Sequence, residues 1–150
     1  MTDDELAALT ARVTESTSAY INGEIRRYLD LVQPVDDQTL MPPYGGPPEH
    51  RVDVSDEAVR ATSEFFRGGE ADLEIAATHA SGDLAVIVGV ERQHGDVGDW
   101  PHQDWSLRVT LVFRREGTVW RQVHRHADPL VRDIGFPLMA AIARGEAPAV

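Results

Sequence analysis

Residues 105–130, WSLRVTLVFRREGTVWRQVHRHADPL, decide the fold. Apolar and polar residues alternate on both sides of Glu116-Gly117, which predicts two β-strands joined by a tight turn. Asp128-Pro129 then predicts the start of a helix. A two-residue turn at Glu116-Gly117 puts Trp105, Leu107, Val109, Leu111 and Phe113 on one face with Trp120, Gln122, His124 and His126. Arg108, Thr110, Arg114, Arg121 and Arg125 fall on the other. The first face is apolar except at its end, where Gln122, His124 and His126 gather. An apolar face that turns polar at one end is how a closed small-molecule pocket is built. The assignment depends on register, because one extra residue in a strand exchanges its two faces.

Working outward from this hairpin, Leu6, Leu9, Val13, Tyr20 and Ile21 recur at helical spacing. They predict a helix over residues 3–21, capped by Thr2 or Asp3 and stopped by Asn22-Gly23. A second helix over EIRRYLDLV ends at Pro34, and residues 38–41 are a short strand. MPPYGGPPEHR, with four prolines, is an irregular loop that can wall a pocket with Tyr44 at its tip. Ser55-Asp56 opens a third helix, with Gly68-Gly69 as its stop. From Glu70 the period changes to two, placing Leu73, Ile75, Ala77 and His79 on one face. Ser81-Gly82-Asp83 is a hairpin turn. Leu84–Val90 is apolar on both faces, as in a central strand, and residues 94–104 form an exposed tip. The tail from Pro129 to Arg144 is expected to be helical, interrupted near Gly135-Phe136-Pro137.

Composition narrows the function classes. One hundred and fifty residues, 42% of them hydrophobic, fit a single domain spanning 1–150. No apolar run approaches the roughly 18 residues of a membrane helix, and the acidic start MTDDELAALTARV lacks the pattern of a signal peptide. A cytoplasmic location is therefore the expectation, with no membrane partner. The net charge of −11 argues against nucleic acid, whose phosphates it would repel. With no cysteine, neither disulfides nor thiolate chemistry enter.

Histidine exchanges a proton near neutral pH, so His124 and His126 are the candidate acid/base residues, with Tyr20 on the first helix as a hydroxyl donor. Gln122, Trp105, Val109, Tyr44 and Met41 are the candidate pocket wall. Each histidine could equally be a wall residue bonded to a carbonyl or hydroxyl. A metal would need a third ligand, such as His79 or an aspartate, and the spacing identifies none; neither metal nor other cofactor is expected. Asp36-Asp37 fits a turn cap better than a base.

Tyr20-Ile21-Asn22-Gly23, Asp36-Asp37-Gln38-Thr39-Leu40, Tyr44-Gly45-Gly46, Phe113-Arg114-Arg115-Glu116-Gly117 and the run Trp120 to Pro129 carry a resemblance. Over residues 3–133 the chain resembles the nuclear transport factor 2-like superfamily, in its SnoaL-like branch of small bacterial proteins. The resemblance implies an α+β cone in which a curved antiparallel or mixed sheet wraps the N-terminal helices. It also implies a pocket between sheet and helices and a homodimer through the outer sheet face. Ketosteroid isomerases of this superfamily use a tyrosine, an aspartate base and a protonated aspartate. Tyr20 falls at the tyrosine, but Met41 and Val109 fall at the two acids, so steroid isomerisation is not expected. The strand carboxylate of polyketide cyclases has no counterpart here. The association domains of calmodulin-dependent kinases, which assemble rather than catalyse, have a similar tryptophan- and histidine-bearing last strand. The expected function is a pocket for a small, largely apolar molecule, with acid/base isomerase, cyclase or hydrolase chemistry. The alternative is a non-catalytic ligand-binding or dimerisation module.

Overall fold

A computed structural model describes residues 1–146. Helix α1 spans Asp3–Ile21 and α2 spans Ile25–Val32. Thr2 caps α1 in a reciprocal capping box with Glu5, and Asp3, Asp4 and Glu5 lie at the positive end of its dipole. Two short strands, β1 (Thr39–Met41) and β2 (Glu49–His50), precede α3 (Asp56–Phe65). Four longer elements and one short strand complete the sheet: β3 (Phe66–Ser81), β4 (Leu84–Val97), β5 (Gln103–Asp104), β6 (Leu107–Glu116) and β7 (Val119–Pro129). A final helix, α4, covers Phe136–Ala143.

The strands form one mixed, unclosed sheet in the order β2-β1-β7-β6-β4-β3, with β5 paired to β4. Among the described residues, only β1 and β7 run parallel; every other pair is antiparallel. Helix α1 packs on the concave face against β3 and β4, bringing Leu9 and Val13 onto Ile87, Leu111, Phe113 and Trp120. Phe113, Ile87, Leu111 and Ile21 are essentially inaccessible to solvent, so the deep part of the cone is packed with side chains.

Several predicted boundaries move. The hairpin turn is Gly117-Thr118, with Glu116 opposite Val119, one residue later than expected. Gly117 supplies the left-handed backbone that this turn needs, at φ 63°. Asp128-Pro129 is not a helix start: β7 continues through Pro129 because Arg108 and Leu107 pair with those two residues. Gly68-Gly69 lies inside β3 rather than stopping α3. Gly69 is there because a Cβ would lie 2.0 Å from the His94 carbonyl oxygen on β4. Strand β4 extends beyond Val90 to Val97, reducing the expected exposed tip to a short connection before β5.

Two β-bulges reset the faces. The turn displacement shifts the β6–β7 register by two residues and so preserves parity, leaving Gln122 opposite Phe113. Val123 then has no partner, and His124 pairs with Val112, Arg125 with Leu111, and His126 with Thr110. Beyond Val123 the expected faces are exchanged. The same happens at Ala76 on β3: Ile75 stands opposite Gly89, whereas Ala77 and His79 stand opposite Val88 and Val86. Leu73 and Ile75 therefore share the concave face, and Ala77 and His79 the convex one.

Candidate functional site

The concave face changes from apolar to polar along β4. Ala85, Ile87 and Gly89 point inward, and the same period carries Glu91 and Gln93 to the inside beyond them. On β7 the bulge turns Arg125 and Ala127 to that side. Arg125 reaches across β6 to Glu91 in a bidentate pair, with Nη1–Oε1 at 2.7 Å and Nη2–Oε2 at 2.8 Å. Gly89, on the same inner row, lies so close to β3 that a Cβ would sit 2.5 Å from the Glu74 carbonyl oxygen. The side chain of Glu91 is 6% exposed and that of Arg125 19% exposed. Burial works against the Arg125 charge, but the Glu91 carboxylate outweighs it, and the guanidinium is held more firmly protonated than a free arginine.

Two tyrosines complete the cluster. The Tyr20 ring, near the end of α1, meets Tyr28 of α2 edge-on with centroids 4.8 Å apart and Phe66 at 4.7 Å. Burial, then the neighbouring Tyr28, pushes the Tyr20 hydroxyl up to about 12. Burial also raises Tyr28. Both phenols thus keep their protons at neutral pH and are available as hydrogen-bond donors. Nearby, Gln93 Nε2 donates to the Trp105 carbonyl at 2.9 Å, and Trp105 Nε1 donates to the Gly95 carbonyl at 3.2 Å.

The candidate residues from the sequence are not brought together. His124 and His126 lie on the convex face with Val112 and Thr110, a correction forced by the unpaired Val123. Thr39 Oγ1 lies 2.7 Å from His124 Nδ1, and burial followed by the nearby His126 lowers the His124 pKa. His126 Nε2 lies 3.3 Å from Asp128 Oδ2. His79 is in the same convex row as His124, but Val86 and Val112 intervene, a separation of roughly 14 Å at ordinary strand spacing. Among the described residues, no group of three or more His, Asp or Glu side chains could hold a metal ion.

Of the expected wall residues, Gln122 is buried and accepts from Gln38 Nε2 at 2.7 Å, which makes it part of the packed interior. Val109 is core, and Trp105 is half-buried beside Gln93. Met41 lies on strand β1 opposite His126. Tyr44 is 82% exposed in its loop, bonded to Glu49. Tyr20 alone of the proposed catalytic residues belongs to the concave cluster. The sequence reading did not include Glu91, Arg125 and Tyr28, which the fold adds to this cluster. The signal for Glu91 and Gln93 was available, since they continue the inward parity of Ala85, Ile87 and Gly89.

Two concavities lie outside this cluster. One, about 600 Å³, is an open depression lined by Arg26, Leu29, Asp30, Gln33, Pro34, Val54 and Arg121. The other, about 420 Å³, lies between Gly23–Arg27 and the Val59–Ser63 side of α3.

A curved mixed sheet around an N-terminal helix, with a polar cluster on its concave face, defines a nuclear transport factor 2-like protein. More narrowly, the SnoaL-like domain model matches residues 9–131, and the chain belongs to that family. The fold is similar to that of the Chlamydomonas reinhardtii calmodulin-dependent kinase II hub homology domain. The TM-score is 0.64 at 18% identity, over 85% of this chain and 99% of the other. It is also similar to an NTF2-like protein of unknown function from Pseudomonas putida KT2440, with TM-score 0.60 and 23% identity over 84% of each chain. A third, from Rhodospirillum rubrum, is described as an NTF2-like protein of unknown function in nutrient uptake. Its TM-score is 0.59 at 22% identity, over 84% of this chain and 98% of the other. No curated protein matches the sequence significantly.

Proposed function

We propose that the chain is a ligand-binding module that works as a cytoplasmic homodimer. Its ligand is a small, largely apolar molecule anchored through an oxygen acceptor at the polar end of the concave face. The observation that carries this is the bidentate Arg125–Glu91 pair beside two tyrosine hydroxyls that have no hydrogen-bond partner among the described residues. A buried ion pair contributes little net stability over apolar packing, so its presence inside a cone favours a role in recognition.

Binding is favoured over isomerase, cyclase or hydrolase chemistry by the same geometry. Both Glu91 oxygens are engaged by Arg125, which leaves this carboxylate a poor general base. Tyr20 holds its proton too firmly to act as a base near neutrality. In this reading Tyr20 donates to the ligand, while His124 and His126 belong to the outer face. The dimer is supported by Val86, Val88, Val90 and Val112 on the convex face, opposite the side that α1 covers.

The test is a titration of ¹⁵N-labelled protein with benzoate and with cyclohexanone, followed by amide shifts. Saturable shifts at Tyr20, Tyr28, Glu91 and Arg125, lost in the Tyr20→Phe/Tyr28→Phe protein, are expected. Shifts confined to the Arg26–Arg121 depression, or none that saturate, would sink the proposal.

A further inference from the structure

Helix α4, FPLMAAIA, has no charged residue and none that is buried. Phe136 is 81% exposed and Ile142 54%, and Leu138 and Met139 are exposed beside them on the same broad face. Eight residues are too few to hold a helix in water unaided, and a helix that is apolar all round belongs in a core. With Val131, this segment presents on the order of 500 Å² of apolar surface, against the roughly 800 Å² that each partner contributes to a standard interface.

The tether says what does not cover it. Leu130 N donates to the Ser106 carbonyl at 2.8 Å, so the chain leaves the sheet beside Trp105, at the polar end of the cone. Residues 131–135 can span up to roughly 17 Å, enough to fold α4 back over its own cone. It nevertheless stands clear. The convex valine face, Val86, Val88, Val90 and Val112, is a half-buried apolar surface on the side of the sheet away from α1. Neither the valines nor the stretch from Ile134 to Ala143 carries a charge, and Glu74 and Arg108, which flank Val90 on the neighbouring strands, are of opposite sign, so the arm adds no acid to this face.

We propose that α4 is an exchanged arm that docks on the valine face of a second copy. A two-fold pair uses each arm and each face once and closes the assembly. This inference rests on the homodimer reading above and adds the element that makes the contact.

The test is sedimentation equilibrium of the full chain, a chain ending at Asp133, Leu138→Glu/Ile142→Glu, and Val88→Glu, with circular dichroism confirming that each is folded. A dimeric full chain is expected, with dimerisation on the order of 100-fold weaker in each variant, the loss of two apolar anchors. Mixing Leu138→Glu/Ile142→Glu with Val88→Glu restores one intact arm–face contact and should give a heterodimer. Undiminished dimers of the arm variants would overturn the arm while leaving the dimer reading intact. No association in the mixture would overturn the pairing of arm with valine face. A monomeric full chain would overturn both readings.

Discussion

Replacing Arg125 by Met isolates the Arg125–Glu91 pair. Methionine fills the space of the arginine's aliphatic stem, so the substitution keeps that packing while removing the charge and two charge-assisted bonds of 2.7 and 2.8 Å. It strands a carboxylate whose side chain is 6% exposed. Losing one partner of a buried pair costs about 3–5 kcal/mol, because the remaining charge keeps its desolvation penalty. For a chain of this size that is a fall in Tm of roughly 6 to 20 °C. The penalty should depend on pH in a specific direction. Without Arg125, taking up a proton removes the stranded buried charge and with it the desolvation penalty. The deficit relative to wild type should therefore shrink as pH falls from 7.5 towards 5. Glu91→Leu/Arg125→Met, which removes both charges, should recover most of the loss and lie within about 1 kcal/mol of wild type. Urea denaturation of wild type, Arg125→Met, Glu91→Leu and the double variant at pH 7.5 and 5.5 completes the cycle. An Arg125→Met protein that loses under about 1 kcal/mol at pH 7.5, with no pH dependence, would refute the placement of this pair in a low-dielectric interior.

Other expectations are open to the same assay. Trp120→Ala empties a buried site against Leu9, Val13 and Phe113 and should cost about 3–5 kcal/mol, read as a lower urea midpoint. Gly69→Ala drives a Cβ to 2.0 Å from the His94 carbonyl and 2.7 Å from Gly95 Cα, so β3 and β4 must part. A loss of about 3 kcal/mol or more is expected, with amide exchange accelerated at that end of the sheet. His124 has a folded pKa below its usual 6.5, through burial and then His126. Its contribution is thus fully present above about pH 6.5 and is lost as pH falls below it, since the unfolded chain binds the proton first. His124→Gln should flatten the decline in stability between pH 7 and 5; an unchanged slope would contradict a desolvated imidazole.

What was legible in the sequence followed from periodicity and capping. Thr2 with Glu5, the 3.6-residue stripe of α1 and the alternation through residues 107–122 each have a local cause, and they fall where that cause puts them. The end of α3 was misplaced because Gly68-Gly69 has two uses: a pair of glycines stops a helix, but it also lets two backbones approach across a sheet. Only the position of His94 and Gly95 on β4 distinguishes them. Asp128-Pro129 is similarly ambiguous, since proline is tolerated both at the first helical turn and at the end of a strand.

The expected face of His124 and His126 was lost to a single residue. Parity carries inside-or-outside information along a strand only while every residue has a partner, and Val123 has none. Nothing in Gln122-Val123-His124 marks a bulge, because what stabilises it is the fit of Trp120 and Gln122 against the closed end of the cone and of Arg125 against Glu91 at the open end. Satisfying both requires an extra residue between them. The bulge is thus the device by which one strand presents apolar packing at one end and a guanidinium at the other, while sending two imidazoles to the opposite face. It follows that deleting Val123 should close the bulge without exchanging either face: Gln122 stays opposite Phe113, and His124 and Arg125 stay opposite Val112 and Leu111. The Arg125–Glu91 pair is then kept and His124 stays on the convex side. The deletion should therefore lower the urea midpoint less than Arg125→Met does. A deletion as costly as Arg125→Met would show that the bulge itself, and not the register on either side of it, holds the pair.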